Sequence, residues 1–195
     1  MTPRLLLTAV LLGATALAGC GSSPKTNFYT LSAAVALAPA GPRVSYSVAI
    51  AAITLPDGID RPQLVVRTGA NQVSVAEFER WVGAPKDEIA RAMAENLTRL
   101  LSGASVFAYP QSANVNADCT VLIDIYRFDS VLGDAATIEV LWQVRPARGG
   151  SRNGRSSVRE GAGGADYGAL VAAHSRALAA VSRDIAVAIR DVVSP

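Results

Sequence analysis

The chain has 195 residues, half of them apolar and 17% charged, and its 18 basic and 16 acidic residues leave a net charge of +2. So small a surplus builds no field for nucleic acid, and one histidine with two cysteines cannot assemble the usual zinc sets. The length suits one domain with a substantial core.

An apolar run from Leu5 to Leu17 follows Arg4 and ends in Leu17-Ala18-Gly19-Cys20. A basic start, an apolar stretch too short to span a bilayer and small residues before a cut site describe a secretory signal. Small residues placed directly before Cys20 resemble the bacterial lipobox, in which the thiol is diacylated, the leader is removed and the new amine is acylated. Residues 1–19 are therefore expected to be a lipoprotein signal peptide, with Cys20 as the lipidated residue. Three acyl chains hold a protein in a leaflet where one binds only marginally. Gly21-Ser22-Ser23-Pro24 opens a flexible tether, taken as residues 20–42. Gly21 stands where an Asp would resemble an inner-membrane retention signal, so the outer membrane is expected. Cleavage leaves 176 residues with 17 basic and 16 acidic groups. Cys119 is then the only thiol not lipidated; it opens the apolar run Thr120-Val121-Leu122-Ile123 and reads as buried and inert.

Residues 43–195 read as one α+β domain. Phe28-Tyr29-Thr30-Leu31 is a short β-prone segment that adds a strand or pins the N-terminus. A strand is expected from Arg43 to Leu55, with Val44, Tyr46, Val48 and Ile50 on one face. Leu64–Arg67 and Gln72–Trp81 form a hairpin around Thr68-Gly69. Trp81 reads as a core-edge side chain ahead of a partner contact. Pro85 to Ser102 is a helix, with Pro85 at its first position and Ile89, Met93, Leu97, Leu100 and Leu101 as its apolar stripe. The i,i+4 pairs Asp87/Arg91 and Glu95/Arg99 read as its solvated face.

Val106–Tyr109 is a short strand, and Gln111–Asp118 a polar loop. Cys119–Phe128 is apolar on both faces, which marks a central strand; Asp124 interrupts it, either exposed or bonded to a neighbour. Ala136–Arg145 alternates cleanly, with Ile138, Val140, Trp142 and Val144 inward. Gly149–Gly154 reads as a hairpin loop and Arg155–Glu160 as its return strand. Arg145, Arg148, Arg152, Arg155 and Arg159 cluster there, and charge at an exposed edge blocks further pairing; contact with acidic lipid headgroups or an acidic partner is the alternative. Asp166 can cap the last helix, Tyr167–Val193.

His174 lies near the apolar stripe of that helix and reads as a packed or half-exposed side chain rather than a ligand. The sequence holds no phosphate loop, no metal-binding carboxylate run and no nucleophile elbow. No cofactor or metal is implied, and the residues argue against an enzyme.

In order and spacing, several stretches resemble the ABC-type transport auxiliary lipoproteins, the PqiC-like family. They are Cys20, Tyr29-Thr30-Leu31, Ile53 to Pro56, Asp60-Arg61-Pro62-Gln63-Leu64-Val65, Arg80-Trp81, Ile89-Ala90-Arg91 to Asn96-Leu97, Phe128-Asp129, Trp142, and Leu178 with Ile185-Ala186. The stretch Val82-Gly83-Ala84-Pro85 departs from the pattern, where acidic and apolar residues are more usual. The resemblance implies a non-catalytic lipoprotein at the outer membrane beside an MCE-type transporter. There it would partner a periplasmic MCE protein and its ABC or permease subunits, which move lipids or other apolar molecules across the envelope, and it would support membrane integrity. A homo-oligomeric ring would match the symmetry of MCE rings.

The expected fold is a mostly antiparallel (mixed) sheet with two long helices packed on one face and the other face partly open. Asp60, Arg61, Pro62, Gln63, Arg80 and Trp81 are the expected partner-binding residues. Two other readings are a periplasmic lipid carrier with a cavity between helices and sheet, and an envelope-assembly lipoprotein that activates a cell-wall enzyme.

Overall fold

A computed structural model describes residues 24–36, 45–114 and 116–193. The leader, Cys20, both ends of the tether and the first residues of the strand expected from Arg43 lie outside them. The strands are β1 (Asn27–Tyr29), β2 (Ser47–Ile50), β3 (Gln63–Gly69), β4 (Gln72–Trp81), β5 (Ser105–Ala108), β6 (Cys119–Val131), β7 (Ala135–Pro146) and β8 (Arg152–Gly161). Helix α1 (Pro85–Leu100) lies between β4 and β5, and α2 (Tyr167–Val193) closes the order. The fold is α+β, with the strands divided between two mixed sheets. A five-stranded sheet runs β5-β2-β6-β7-β8, and a three-stranded sheet runs β1-β4-β3.

The long β6-β7-β8 meander is antiparallel, whereas β2 runs parallel to both β5 and β6. Alternation buries Cys119, Val121, Ile123 and Ile125 on β6 against Ile138, Val140 and Val144 on β7. A register shift between Ile125 and Arg127 then changes the parity of β6. An extra residue at a bulge sends the following side chains to the opposite face. Phe128 and Ser130 are therefore buried on the same side as Val121. The run that reads as apolar on both faces is one buried face with its phase changed midway.

Helix α2 covers this face with Leu170, Leu178, Val181, Ile185 and Ile189, and its buried alanines let the backbone approach closely. Asp166 caps it, Oδ1 accepting the Ala169 N–H at 2.8 Å. Helix α1 begins at Pro85 and packs beside α2, with Ile89, Met93 and Leu97 fully buried.

Two elements differ from their sequence reading. The strand expected from Arg43 to Leu55 is β2, only Ser47–Ile50 among the described residues; beyond it the chain holds β6 through single bonds, such as Ala51 N–H to Val121 O at 2.9 Å. The stretch expected as loop to Gly154 is already strand from Arg152. Gly154 stands opposite Trp142, whose indole lies where a Cβ would be, 2.1 Å away. The indole N–H donates to Ser156 Oγ at 3.0 Å, and that hydroxyl donates to Asp184 of α2 at 2.6 Å.

The N-terminal segment is strapped across both helices. Leu31 is buried, and its N–H donates to Glu88 Oε2 at 3.1 Å. Thr30 Oγ1 donates to the same carboxylate at 2.6 Å, and Arg91 joins Glu88 at 2.9 Å and the Leu31 carbonyl. Asn96, fully buried, accepts the Ala34 and Val35 N–H groups at 3.1 and 3.3 Å. Arg99 reaches the Ala33 and Val35 carbonyls, and the Ser32 N–H donates to Ser175 of α2 at 3.2 Å. Arg91 thus pairs with Glu88 rather than Asp87, while Glu95 and Arg99 pair as expected; Asp87 and Arg91 stay exposed, and Arg91 and Arg99 reach the strap from that solvated face. Burial alone would raise the Glu88 carboxyl, but the bonds from Thr30, Arg91 and the Leu31 N–H outweigh it and hold it below the usual range.

Asn96→Ala leaves two strap amides without an acceptor and is expected to cost about 1–3 kcal/mol. Hydrogen exchange at Ala34 and Val35 should accelerate ahead of the rest of the domain. Gly154→Ala is expected to displace the Trp142 ring and to lower stability by about 1–3 kcal/mol in urea unfolding, because a rigid indole cannot yield as a flexible side chain would.

Candidate functional site

The residues expected to bind a partner come together at the base of the β3–β4 hairpin. Gln63 stands opposite Arg80, and the Trp81 N–H donates to the Pro62 carbonyl at 2.8 Å. Asp60 pairs with Lys86 at the start of α1, 2.6 Å apart, which ties the turn before β3 to the helix. Arg61 and Pro62 are exposed, Asp60, Gln63 and Arg80 are half-buried, and Trp81 is only 6% exposed. The Trp81 ring faces the core, so the surface consists of Asp60, Arg61, Pro62, Gln63 and Arg80 on a buried tryptophan base.

Beneath this surface the two sheets are joined. Trp81 meets the Phe128 ring edge-on at 6.5 Å, and Phe128 stacks on the His174 imidazole at 4.0 Å with the rings 9° apart. His174 Nε2 lies 2.7 Å from Ser130 Oγ, and Nδ1 has no partner among the described residues. Burial pushes this histidine down to about 3, partly countered by Asp129, so the ring is neutral. Next to Phe128, Asp129 turns the other way and takes Arg67 of β3 in a two-pronged pair at 3.0 and 3.1 Å. Arg127 shares Asp129 at 2.8 Å and continues to Glu139 at 3.0 Å, which also receives Arg155 at 2.7 Å and Tyr126 at 2.9 Å. Bonds from Arg127, Arg155 and Tyr126 hold the Glu139 carboxyl down at about 2. Such Arg–carboxylate forks are stronger and more directional than single bonds.

The open face of the five-stranded sheet carries a shallow groove of about 560 Å³. Ala52, Leu122 and Leu141 give it apolar walls, and Asp124, Gln143 and Asn153 rim it. Asp124 is both exposed and bonded, accepting from Thr54 Oγ1. The space between helices and sheet is filled by the core cluster, so this concavity lies on the face away from the helices. Cys119 is fully buried, and burial raises its thiol to about 11.

The sequence alone assigns Glu88, Asn96, Arg67 and Glu139 no role in these networks. For Asn96 a signal existed: a polar residue between Met93 and Leu97 sits on the buried stripe of α1. No local pattern announces the Arg67–Asp129 pair, whose members are 62 residues apart.

Among the described residues no helix is long and apolar enough to cross a membrane, and no group of histidine, cysteine and acidic side chains could hold a metal. The family model for the ABC-type transport auxiliary lipoprotein component matches residues 29–186, and the chain belongs to that family. Its fold is similar to the crystal structure of an uncharacterised protein at 17% identity, with a TM-score of 0.70 over 87% of this chain and 99% of that one. It is similar also to a DUF330-family protein from Xanthomonas campestris at 23% identity, with a TM-score of 0.64 over 83% and 93%. No curated protein matches the chain.

The neutral His174 makes stability depend on pH. Unfolded, the ring protonates near 6.5; folded, it resists until about 3. The unfolded state therefore binds more protons in this window, and stability falls as pH drops below about 6.5. Urea midpoints should decline between about pH 6.5 and 5, where most carboxylates are still ionised. His174→Gln should flatten that part of the curve, whatever its effect on absolute stability.

Proposed function

We propose that this protein is a lipid-anchored, non-catalytic subunit of an MCE/ABC-type lipid transport system. In this reading Cys20 fastens the domain to the outer membrane, facing the periplasm, where it docks the periplasmic MCE component and supports membrane integrity. Membership of the auxiliary lipoprotein family across residues 29–186 is the observation that carries the reading. The strap is consistent with it: a chain pinned to α1 and α2 from Thr30 to Val35 keeps the folded body close to whatever holds its N-terminus. The docking surface is proposed at Asp60, Arg61, Pro62, Gln63 and Arg80, with Trp81 as the packed base that sets their positions. The bond from Trp81 to Pro62 and the Asp60–Lys86 pair supply the rigidity a binding surface needs.

A second reading, a lipid carrier, is favoured by the groove on the open sheet face, whose apolar walls suit an acyl chain. Native mass spectrometry of protein purified from membranes separates the two, since a carrier brings lipid with it.

Labelled palmitate is expected to incorporate into the wild type and not into Cys20→Ser. Arg61→Ala, at an exposed position, should leave thermal stability unchanged while capture of the MCE protein from envelope extracts drops several-fold. Undiminished capture with Arg61→Ala would remove Arg61 from the docking surface.

A further inference from the structure

The described chain carries an exposed apolar cluster at the edge where the tether arrives. Phe28 is 63% exposed, Phe78 45% and Val82 65%. In the parallel β1–β4 ladder Phe28 stands opposite Arg80, and Phe78 lies two residues before Arg80, inside the register irregularity that β4 carries between Ala76 and Arg80. The opposite side of this edge is fixed, with Tyr29 and Asn27 bonded to Glu79 and Trp81 packed inward. The Val82 N–H donates to the Tyr29 carbonyl at 2.9 Å and holds the end of the patch to β1. Soluble surfaces scatter single apolar residues, but two exposed phenylalanines on adjoining strands and an exposed valine just past the end of β4 gather at one short edge, and such a surface needs an occupant.

We propose that the β1–β4 edge is a membrane-contact patch: Phe28, Phe78 and Val82 enter the interfacial layer of the bilayer, and Lys25 and Arg80 meet anionic headgroups. The inference rests on Cys20 being the lipidated residue. From Cys20 to Pro24 the chain can extend about 14 Å, and to Phe28 about 28 Å. The patch therefore cannot leave the neighbourhood of the headgroups, while the strap stops β1 from swinging freely on its tether.

The charges fit the same occupant. Lys25 is exposed beside β1, and Arg80 stands opposite Phe28, its Nε donating to the Glu77 carbonyl at 3.1 Å. The acids of β4 are directed elsewhere, Glu79 to Asn27 and Tyr29 and Glu77 to the Gln63 amide at 3.4 Å. Aromatic side chains with cations among them are the composition that settles at the water–lipid boundary. The acyl chains supply attachment and the patch supplies orientation, so the open sheet face and the Arg61 loop keep a fixed attitude to the bilayer. Arg80 is shared with the docking surface; Arg61 is not part of the patch.

The test uses the full lipidated chain with a single added thiol, at Phe28→Cys or Phe78→Cys, and Leu141→Cys on the open sheet face as reference. Cys20 is capped by lipid and Cys119 is buried, so a polarity-sensitive fluorophore reacts at the introduced position. In vesicles of phosphatidylethanolamine and phosphatidylglycerol, emission from positions 28 and 78 should shift to the blue and brighten several-fold. Lipids with a spin label high on the acyl chain should quench both positions and leave 141 unchanged. Emission that stays water-like at 28 and 78 in palmitate-labelled protein overturns the patch while the anchor stands. Brightening without quenching by lipid assigns the patch to a protein partner or a second copy and also overturns it. Absence of palmitate from the wild type defeats the anchor and the patch together.

Discussion

The arrangement depends on two consecutive residues of β6 that face opposite ways. Phe128 points into the core, where it stacks on His174 and receives the edge of Trp81. Asp129 points out and accepts the fork of Arg67. One residue thus joins the small sheet to the helical layer through apolar contact, and its neighbour joins it to the long meander through charge. The change of parity after Ile125 makes this possible, since without it Phe128 would fall on the open face. The surface at Asp60–Gln63 inherits its position from the joint, because Trp81 is bonded to Pro62 through its backbone while its ring is held by Phe128.

The strap is the second constraint, and it works by a different physics. Little of it is regular structure beyond the three residues of β1. Side chains from both helices satisfy its polar groups, with Leu31 and Val35 buried between. A loop bound this way costs ordering entropy for each residue, and the buried carboxylate and amide of α1 offset that cost only where the strap lies in one register. The N-terminal segment is thereby part of the domain rather than an appendage to it.

Much of this was legible in the sequence, for reasons of periodicity. Helix α2 reads true from Tyr167 to Val193 because a 3.6-residue stripe and the Asp166 cap agree. The β3–β4 hairpin and the β7 strand announce themselves by alternation and turn residues. What local pattern cannot carry is partnership. The division of the strands into two sheets rests on pairings such as Asn27 with Glu79, 52 residues away. Gly154 looked like loop because glycine usually marks one, yet it is a strand residue that clears space for Trp142. The arginines of α1 do lie on a solvated face, but that pattern does not show that Arg91 and Arg99 also reach a strap some 60 residues earlier. Among the residues expected to form a surface, Trp81 alone is buried, in line with the core reading favoured for it.

The thiol at the start of β6 has a chemical consequence of its own. With its proton held until about pH 11, Cys119 is almost never a thiolate at neutral pH, roughly one part in ten thousand of the time. Exchange with a disulfide begins from the thiolate, and the side chain is also sealed from contact. While folded, the domain is thus inert toward oxidants and foreign disulfides; once opened, it presents a reactive sulfur. Mixed-disulfide capture through this residue would report on chains that have not finished folding.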